Sequence, residues 1–202
     1  MTRYIVGAGG FGREVLDALR TISPAYAADL AFLDDHAEAR EVDGVAVDRP
    51  EQARSNGTFV VAIANPSARA RLAGLLSARG LVSDQVIHPR AVVSSGAALG
   101  PGCVVLANAF VSTGAALGAH VHVNYNATVG HDTVLGDFVT ILPAANLAGT
   151  VTVGACTTVG SNACVLQGLR IGSRGTVGAG AVVTRDQPIG AVVAGVPARS
   201  LR

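Results

Sequence analysis

Residues 117–159 read LGAHVHVNYNATVGHDTVLGDFVTILPAANLAGTVTVGACTTV, and within them Leu117, Val123, Val129, Leu135, Ile141, Leu147, Val153 and Val159 fall at every sixth place. The same step continues outward, through Val111, Val105, Leu99, Val93 and Ile87 on one side and Val165, Ile171, Val177, Val183 and Ile189 on the other. All eighteen positions are Ile, Leu or Val, so the period is a structural constraint. Two further features keep the phase. Small residues stand two places before the aliphatic, as at Ala91, Ala109, Ala127, Ala145 and Ala163, and glycine often follows it directly, as at Gly118, Gly130, Gly136 and Gly154. The pattern predicts a triangular solenoid in which each hexapeptide is one short strand and three close a coil. Aliphatic and small residues point inward and glycine relieves the backbone at the corner. Eighteen hexapeptides make about six coils, stacked at roughly the 4.8 Å spacing of paired strands. Flat outer faces favour side-by-side association, and the plainest alternative is a structural spacer.

Composition agrees with a narrow β interior. Half of the residues are hydrophobic, only 4% are aromatic and Trp is absent, which leaves Val, Ile, Leu and Ala to fill the core. The 25 glycines accompany no low-complexity tract, so they mark regular turns. A net charge of +1 argues against nucleic acid or an anionic membrane as partner. Every one of the 15 basic residues is Arg, which excludes a Schiff-base lysine and a Walker-type phosphate loop. Cys103, Cys156 and Cys164 are odd in number and lack CxxC spacing, so neither a disulfide framework nor a zinc site is expected. No signal peptide is read near Met1 and no apolar run approaches the roughly 20 residues of a membrane span. A cytoplasmic protein without membrane insertion is the expectation.

Residues 1–85 lack the six-residue step and read as an α/β unit, with 86–202 forming the β-helix and its C-terminal cap. Strands are expected at Tyr4–Val6, Leu30–Leu33 and Phe59–Ile63, with helices after the first and third, the latter starting at Asn65-Pro66-Ser67. Gly7, Gly9 and Gly12 satisfy GxGxxG between a strand and a helix, and Asp34 or Asp35 follows about 20 residues on. The spacing allows a nicotinamide dinucleotide, and hence an oxidoreductase, but so short a unit supplies only half of a dinucleotide fold. It fits better a loop whose N–H groups receive the diphosphate of a nucleotide-linked ligand; a merely tight turn is the alternative.

His131 lies two places after Val129, a position that faces outward, and Asp132 follows at once. A carboxylate beside an exposed imidazole keeps it basic near neutral pH. Because three hexapeptides close a coil, Gly149 falls directly above His131, where a residue without a side chain leaves its N–H open to a substrate carbonyl. His120 and His122, one coil below Phe138 and Thr140, have no acidic neighbour and read as surface or rim residues. A metal site from His120, His122 and His131 lacks an acid in phase.

The sequence resembles the hexapeptide acyltransferases of the sialic acid O-acetyltransferase type, which include bacterial nucleotide-sugar 4-amino N-acetyltransferases. The likeness runs along the chain: YIVGAGGFGREV from Tyr4, FLDD at Phe32 to Asp35, AIANPSARARL from Ala62, NYNATVGHDTVLGDF from Asn124, and AGVPARSLR at the end. It implies a left-handed parallel β-helix behind a Rossmann-like sugar-nucleotide domain, a homotrimer, and acetyl-CoA in a groove between neighbouring β-helices, with no metal. On the residues that match, it implies His131 as general base with Asp132 supporting it, Asn124 near the acceptor, and Gly149 and Thr140 on the acetyl-CoA side. Gly7, Gly9, Phe11, Gly12, Asp34, Asp35, Asn65 and Arg69 fall on the sugar-nucleotide side. Family members often carry histidine where this chain has Phe11, and some carry a second where it has Thr140. The activity implied is direct acetyl transfer from acetyl-CoA to an amino or hydroxyl group of a sugar, a nucleotide-linked 4-amino-deoxy sugar first, sialic acid or another sugar hydroxyl second. A trimer that only senses a sugar nucleotide is the non-enzymatic reading.

Overall fold

The computed structural model describes residues 2–23, 25, 29–36 and 38–201. Its first part contains β1 (Arg3–Val6), α1 (Gly10–Ile22), β2 (Leu30–Leu33), β3 (Glu41–Val42), β4 (Val45–Asp48), β5 (Thr58–Val61), α2 (Pro66–Ala78) and β6 (Val82–Ser83). The strands form one sheet in the order β3-β4-β2-β1-β5-β6. All neighbours are parallel except β3 and β4, an antiparallel hairpin. That hairpin goes beyond the three expected strands, although its turn is legible: Asp43 and Gly44 both take positive φ, the conformation for which Asp-Gly is favoured in two-residue turns. One face of the sheet buries Ile5, Phe32 and Val60 against Val15, Leu16 and Leu19 of α1, and this cluster runs on into Val86, Val104 and Leu106 of the solenoid. The other face buries Tyr4, Leu33, Phe59 and Val61 against Leu72 and Leu76 of α2. Helix α1 therefore lies between the sheet and the solenoid.

The second part is the left-handed β-helix, whose two-residue strands pair in parallel with their counterparts one coil away, as in Val105↔Val123 and Leu117↔Leu135. The first face stacks Val86–Ile87, Val104–Val105, His122–Val123, Thr140–Ile141, Thr158–Val159 and Thr176–Val177. Val192–Ala194 extends this face, and Arg199–Ser200 closes it antiparallel, covering the edge that a parallel stack leaves open. The second face carries six strands, from Val92–Val93 to Val182–Val183, and the third five, from Ala98–Leu99 to Arg170–Ile171. Val105, Val111, Val123, Val129, Ile141, Val159 and Val177 are buried inside with Ala109, Ala127, Ala145 and Ala163. The last step of the period departs from this: Gln187, not Ile189, takes the place beside Ile171, Val192 pairs with Thr176 only sixteen residues on, and Ile189 is left 71% exposed.

The glycines serve a different purpose from the one expected. The left-handed backbone falls three places after the aliphatic, at Asn108, His120, Asn126, Asp132, Phe138 and Thr150 among others. Glycine immediately after the aliphatic answers instead to crowding between coils: a Cβ on Gly130 would meet the backbone of Ala148 at 2.5 Å, and one on Gly136 that of Ala155 at 2.7 Å. No helix among the described residues is long and apolar enough to cross a membrane.

Candidate active site

His131 and Asp132 occupy the corner between the second and third faces. Asp132 sits in the left-handed region (φ 56°), its N–H bound to the Thr113 carbonyl at 3.1 Å, and this turn swings its carboxylate back to the preceding side chain. His131 Nδ1 lies 2.8 Å from Asp132 Oδ2, and the two side chains are 52% and 62% exposed. With Nδ1–H donated to the carboxylate, the Nε2 lone pair is free to accept a proton. One coil on, a Cβ at Gly149 would come within 2.3 Å of Nε2, so the imidazole lies over a residue that must lack a side chain. The Gly149 carbonyl accepts from Thr150 Oγ1 at 2.7 Å and from the Gly168 N–H at 3.0 Å, whereas none of the hydrogen bonds among the described residues uses the Gly149 N–H. Gly114 plays the matching part below: a Cβ there would meet Asp132 Oδ1 at 2.3 Å. Sequence reasoning missed Gly114, although it stands one coil before Asp132.

The glycine loop lines a second site. Gly7 takes φ +103°, and a Cβ on Gly12 would stand 1.9 Å from the Gly7 carbonyl oxygen, so both positions require glycine. Helix α1 starts with no acid in its first turn and no side-chain cap, which leaves its N-terminal N–H groups and the positive end of its dipole available to an anion. Asp34 fixes the loop, accepting the Ala8 N–H on Oδ2 at 2.8 Å and the His36 N–H on Oδ1 at 2.8 Å. Gly7, Gly9, Phe11, Asp34 and Asp35 line a cleft of about 480 Å³ with Pro50 and Arg71. Arg71, on α2, is the cation of this cleft, a place the sequence reading did not give it. A wider polar cleft of about 580 Å³ continues past Asp34 along Glu38, Arg40, Asp48 and Arg49, without a glycine loop or a helix N-terminus.

Several expected positions are corrected by the structure. Arg69 does not reach the cleft. Its guanidinium is fully buried and donates to the carbonyls of His120, Ile63, Ala64, Phe138 and Val139 and to Thr140 Oγ1, which occupies its N–H groups and ties α2 to the solenoid. Burial lowers its pKa to about 10, so it remains a cation at neutral pH. Thr140 is buried in the same seam and donates to the Ala64 carbonyl, so it faces no groove. Asn65 caps α2 through the Ala68 N–H at 2.9 Å and does not line the cleft, and Asn124 is buried with its amide on the Ile141 carbonyl. His120 and His122, expected at the surface, are buried beneath the α/β unit. His120 stacks between Phe59 and Phe138 and approaches Ser83 Oγ at 3.3 Å, and His122 lies against Phe11 with ring centroids 5.0 Å apart. Burial first, and nearby Arg69 second, lower the pKa of both, that of His122 well below its ordinary value. His131 stands on another corner from this pair, and no cluster of three or more His, Cys, Asp or Glu suited to a metal occurs among the described residues.

The two sites lie on opposite sides of the prism. The α/β unit covers the first face, through α1 on Val86 and Val104, and the corner of His120 and Phe138 between the third and first faces. The His131 corner joins the other two faces and is the corner opposite the first.

Residues 4–76 match the PglD N-terminal domain family. No curated protein matches the chain in a sequence search. Among solved structures, the acetyltransferase domain of PglB from Neisseria gonorrhoeae FA1090, in complex with acetyl coenzyme A, shares 36% identity over 99% of this chain and 98% of its own, with a TM-score of 0.93. PerB from Caulobacter crescentus, in complex with CoA and GDP-perosamine, shares 32% over 100% and 98% with a TM-score of 0.91. WeeI from Acinetobacter baumannii AYE shares 30% over 100% of both chains with a TM-score of 0.94. With full-length likeness at this level and the hexapeptide β-helix behind an α/β unit, the chain belongs to the hexapeptide acyltransferase family.

Proposed function

We propose that the protein transfers an acetyl group from acetyl-CoA to the amino group of a nucleotide-linked 4-amino-deoxy sugar. The observation that carries the reading is the stacking of His131 over Gly149, with Asp132 on Nδ1. A free Nε2 and an open backbone N–H on one corner are the two elements that acyl transfer requires. His131 takes the proton from the attacking nitrogen, and the Gly149 N–H stabilises the oxyanion as the thioester carbonyl becomes tetrahedral. The nitrogen–carbon bond forms, the carbon–sulfur bond breaks, and the proton passes to the departing CoA sulfur. Cys103 is buried and its thiol is pushed up to about 11 by desolvation, which supports direct transfer over a covalent acyl-enzyme on that residue.

The glycine loop and the start of α1 suit the diphosphate, with Arg71 as a further cation. PerB, crystallised with CoA and GDP-perosamine, supports a nucleotide-linked amino sugar as acceptor. A ligand in the cleft of one chain stands across the prism from that chain's own His131, which supports a closed trimer in which the cleft of one protomer serves the His131 corner of its neighbour. The free cysteines fit a reducing cytoplasm. Release of CoA thiol from acetyl-CoA in the presence of UDP- or GDP-linked 4-amino sugars tests the activity. His131→Ala is expected to lose on the order of 100-fold or more in rate while still binding acetyl-CoA; full activity in that variant would sink the assignment.

A further inference from the structure

On the covered first face, the outward residues of successive coils are Val86, Val104, His122 and Thr140, all buried. Two are apolar, and Thr140 has its hydroxyl bonded to Arg69 and Ala64. His122 alone in this column carries unsatisfied polar atoms: it is fully buried, and neither Nδ1 nor Nε2 has a hydrogen-bond partner. The backbone of Val61 lies near enough to oppose the lowering, behind burial and Arg69, but it completes no hydrogen bond. A valine would serve the packing as well as it does on the two coils below, without leaving an imidazole unpaired, so packing alone does not account for histidine. Among the described residues its one aromatic ring contact is with Phe11, half-buried on the first turn of α1, which also lines the glycine-loop cleft. One ring thus separates an unpartnered imidazole from the cleft.

We propose that His122 is a specificity residue for the acceptor: when the Phe11 side chain swings aside, the imidazole hydrogen-bonds a hydroxyl of the sugar held beyond the diphosphate. The inference rests on the sugar-nucleotide reading of the cleft. A neutral imidazole offers one donor and one acceptor, which matches a hydroxyl; a phosphate oxygen only accepts. The environment keeps the ring neutral, since it is desolvated and faces Arg69 and His120 with no carboxylate among the groups that perturb it. The diphosphate is left to the loop N–H groups and Arg71, and His122 distinguishes the sugar.

The test compares wild type with His122→Val, His122→Phe and the conservative His122→Gln, using acetyl-CoA with UDP- and GDP-linked 4-amino sugars, and UDP and GDP as binding controls. Removing the orphan imidazole is expected to raise Tm by roughly 2–8 °C while raising KM for the sugar nucleotide about tenfold or more. KM for acetyl-CoA and binding of UDP or GDP should stay unchanged, and Gln should recover part of the loss. In wild type labelled with 15N-histidine, the sugar nucleotide should shift the His122 ring signals and the bare nucleotide should not. Unchanged sugar-nucleotide KM in a folded His122→Val or His122→Phe enzyme overturns the proposal and leaves the acetyltransferase reading intact. Absence of thiol release by wild type with every sugar nucleotide, together with no shift of the His122 signals, overturns both.

Discussion

A methyl group built on Gly149 would stand 2.3 Å from Nε2 of His131, and its three nearest neighbours would all be atoms of that ring. Gly149→Ala therefore displaces one exposed imidazole and leaves the backbone stack in place. It is expected to cost on the order of 100-fold in kcat/KM, comparable to the loss predicted for His131→Ala, with Tm changed little. Steady-state kinetics and thermal melting of the one variant check both halves. The His131, Asp132 and Gly149 group was legible because the repeat supplies coordinates: three hexapeptides make one coil, so stacked neighbours follow from arithmetic. Gly114 is legible by the same step only once the Asp132 carboxylate is known to turn back over the coil below, which the repeat does not state. What Gly114 provides is room for a carboxylate one coil away.

Between elements, the seam that joins α2 to the solenoid was the part sequence reasoning could not reach. Arg69 falls in a stretch whose resemblance to sugar-nucleotide enzymes points to the ligand. The fold directs its N–H groups to the carbonyls of Ile63, Ala64, His120, Phe138 and Val139 and to Thr140 Oγ1, contacts that no local pattern encodes. Arg69→Met should leave these buried acceptors unpaired and cost about 3–5 kcal/mol, measured by urea unfolding. Arg69→Lys should recover only part, because an ammonium cannot reproduce the planar fork. Acid should weaken the same seam. His120 and His122 have folded pKa values below the ordinary 6.5, so below that pH the unfolded chain binds protons that the folded chain refuses. Stability is full above pH about 6.5 and is lost as pH falls from there through the lowered folded values. Asp137 partly offsets this at His120 and the Val61 backbone at His122, while Arg69 deepens it at both. Melting temperatures between pH 8 and pH 5 should show the decline, and His122→Val should flatten it; an unchanged slope in that variant would remove His122 from the effect.

For the whole molecule, the period of six fixed the solenoid and the phase of every inward residue from Val105 to Val183, because a coil that repeats exposes its rule in the sequence. It said nothing of which face the α/β unit covers. That depends on α1 settling over Val86 and Val104, a contact between units with different periods. The choice of face has a functional consequence, since it sets the glycine-loop cleft across the prism from His131 and, on the proposed reading, makes each reaction centre the joint property of two protomers. The decisive measurement is acetyl-CoA consumption by the mixed trimers that this reading proposes. His131→Ala protomers keep an intact cleft. Gly9→Asp protomers keep an intact His131 corner but place a carboxylate where the diphosphate should bind, at a position with open space for a side chain. Each variant alone should be nearly inactive. Random equal mixing after co-refolding should restore about a quarter of wild-type activity, since one cleft in two meets an intact neighbouring corner one time in two. Mixtures no more active than the separate variants would contradict a site shared between protomers.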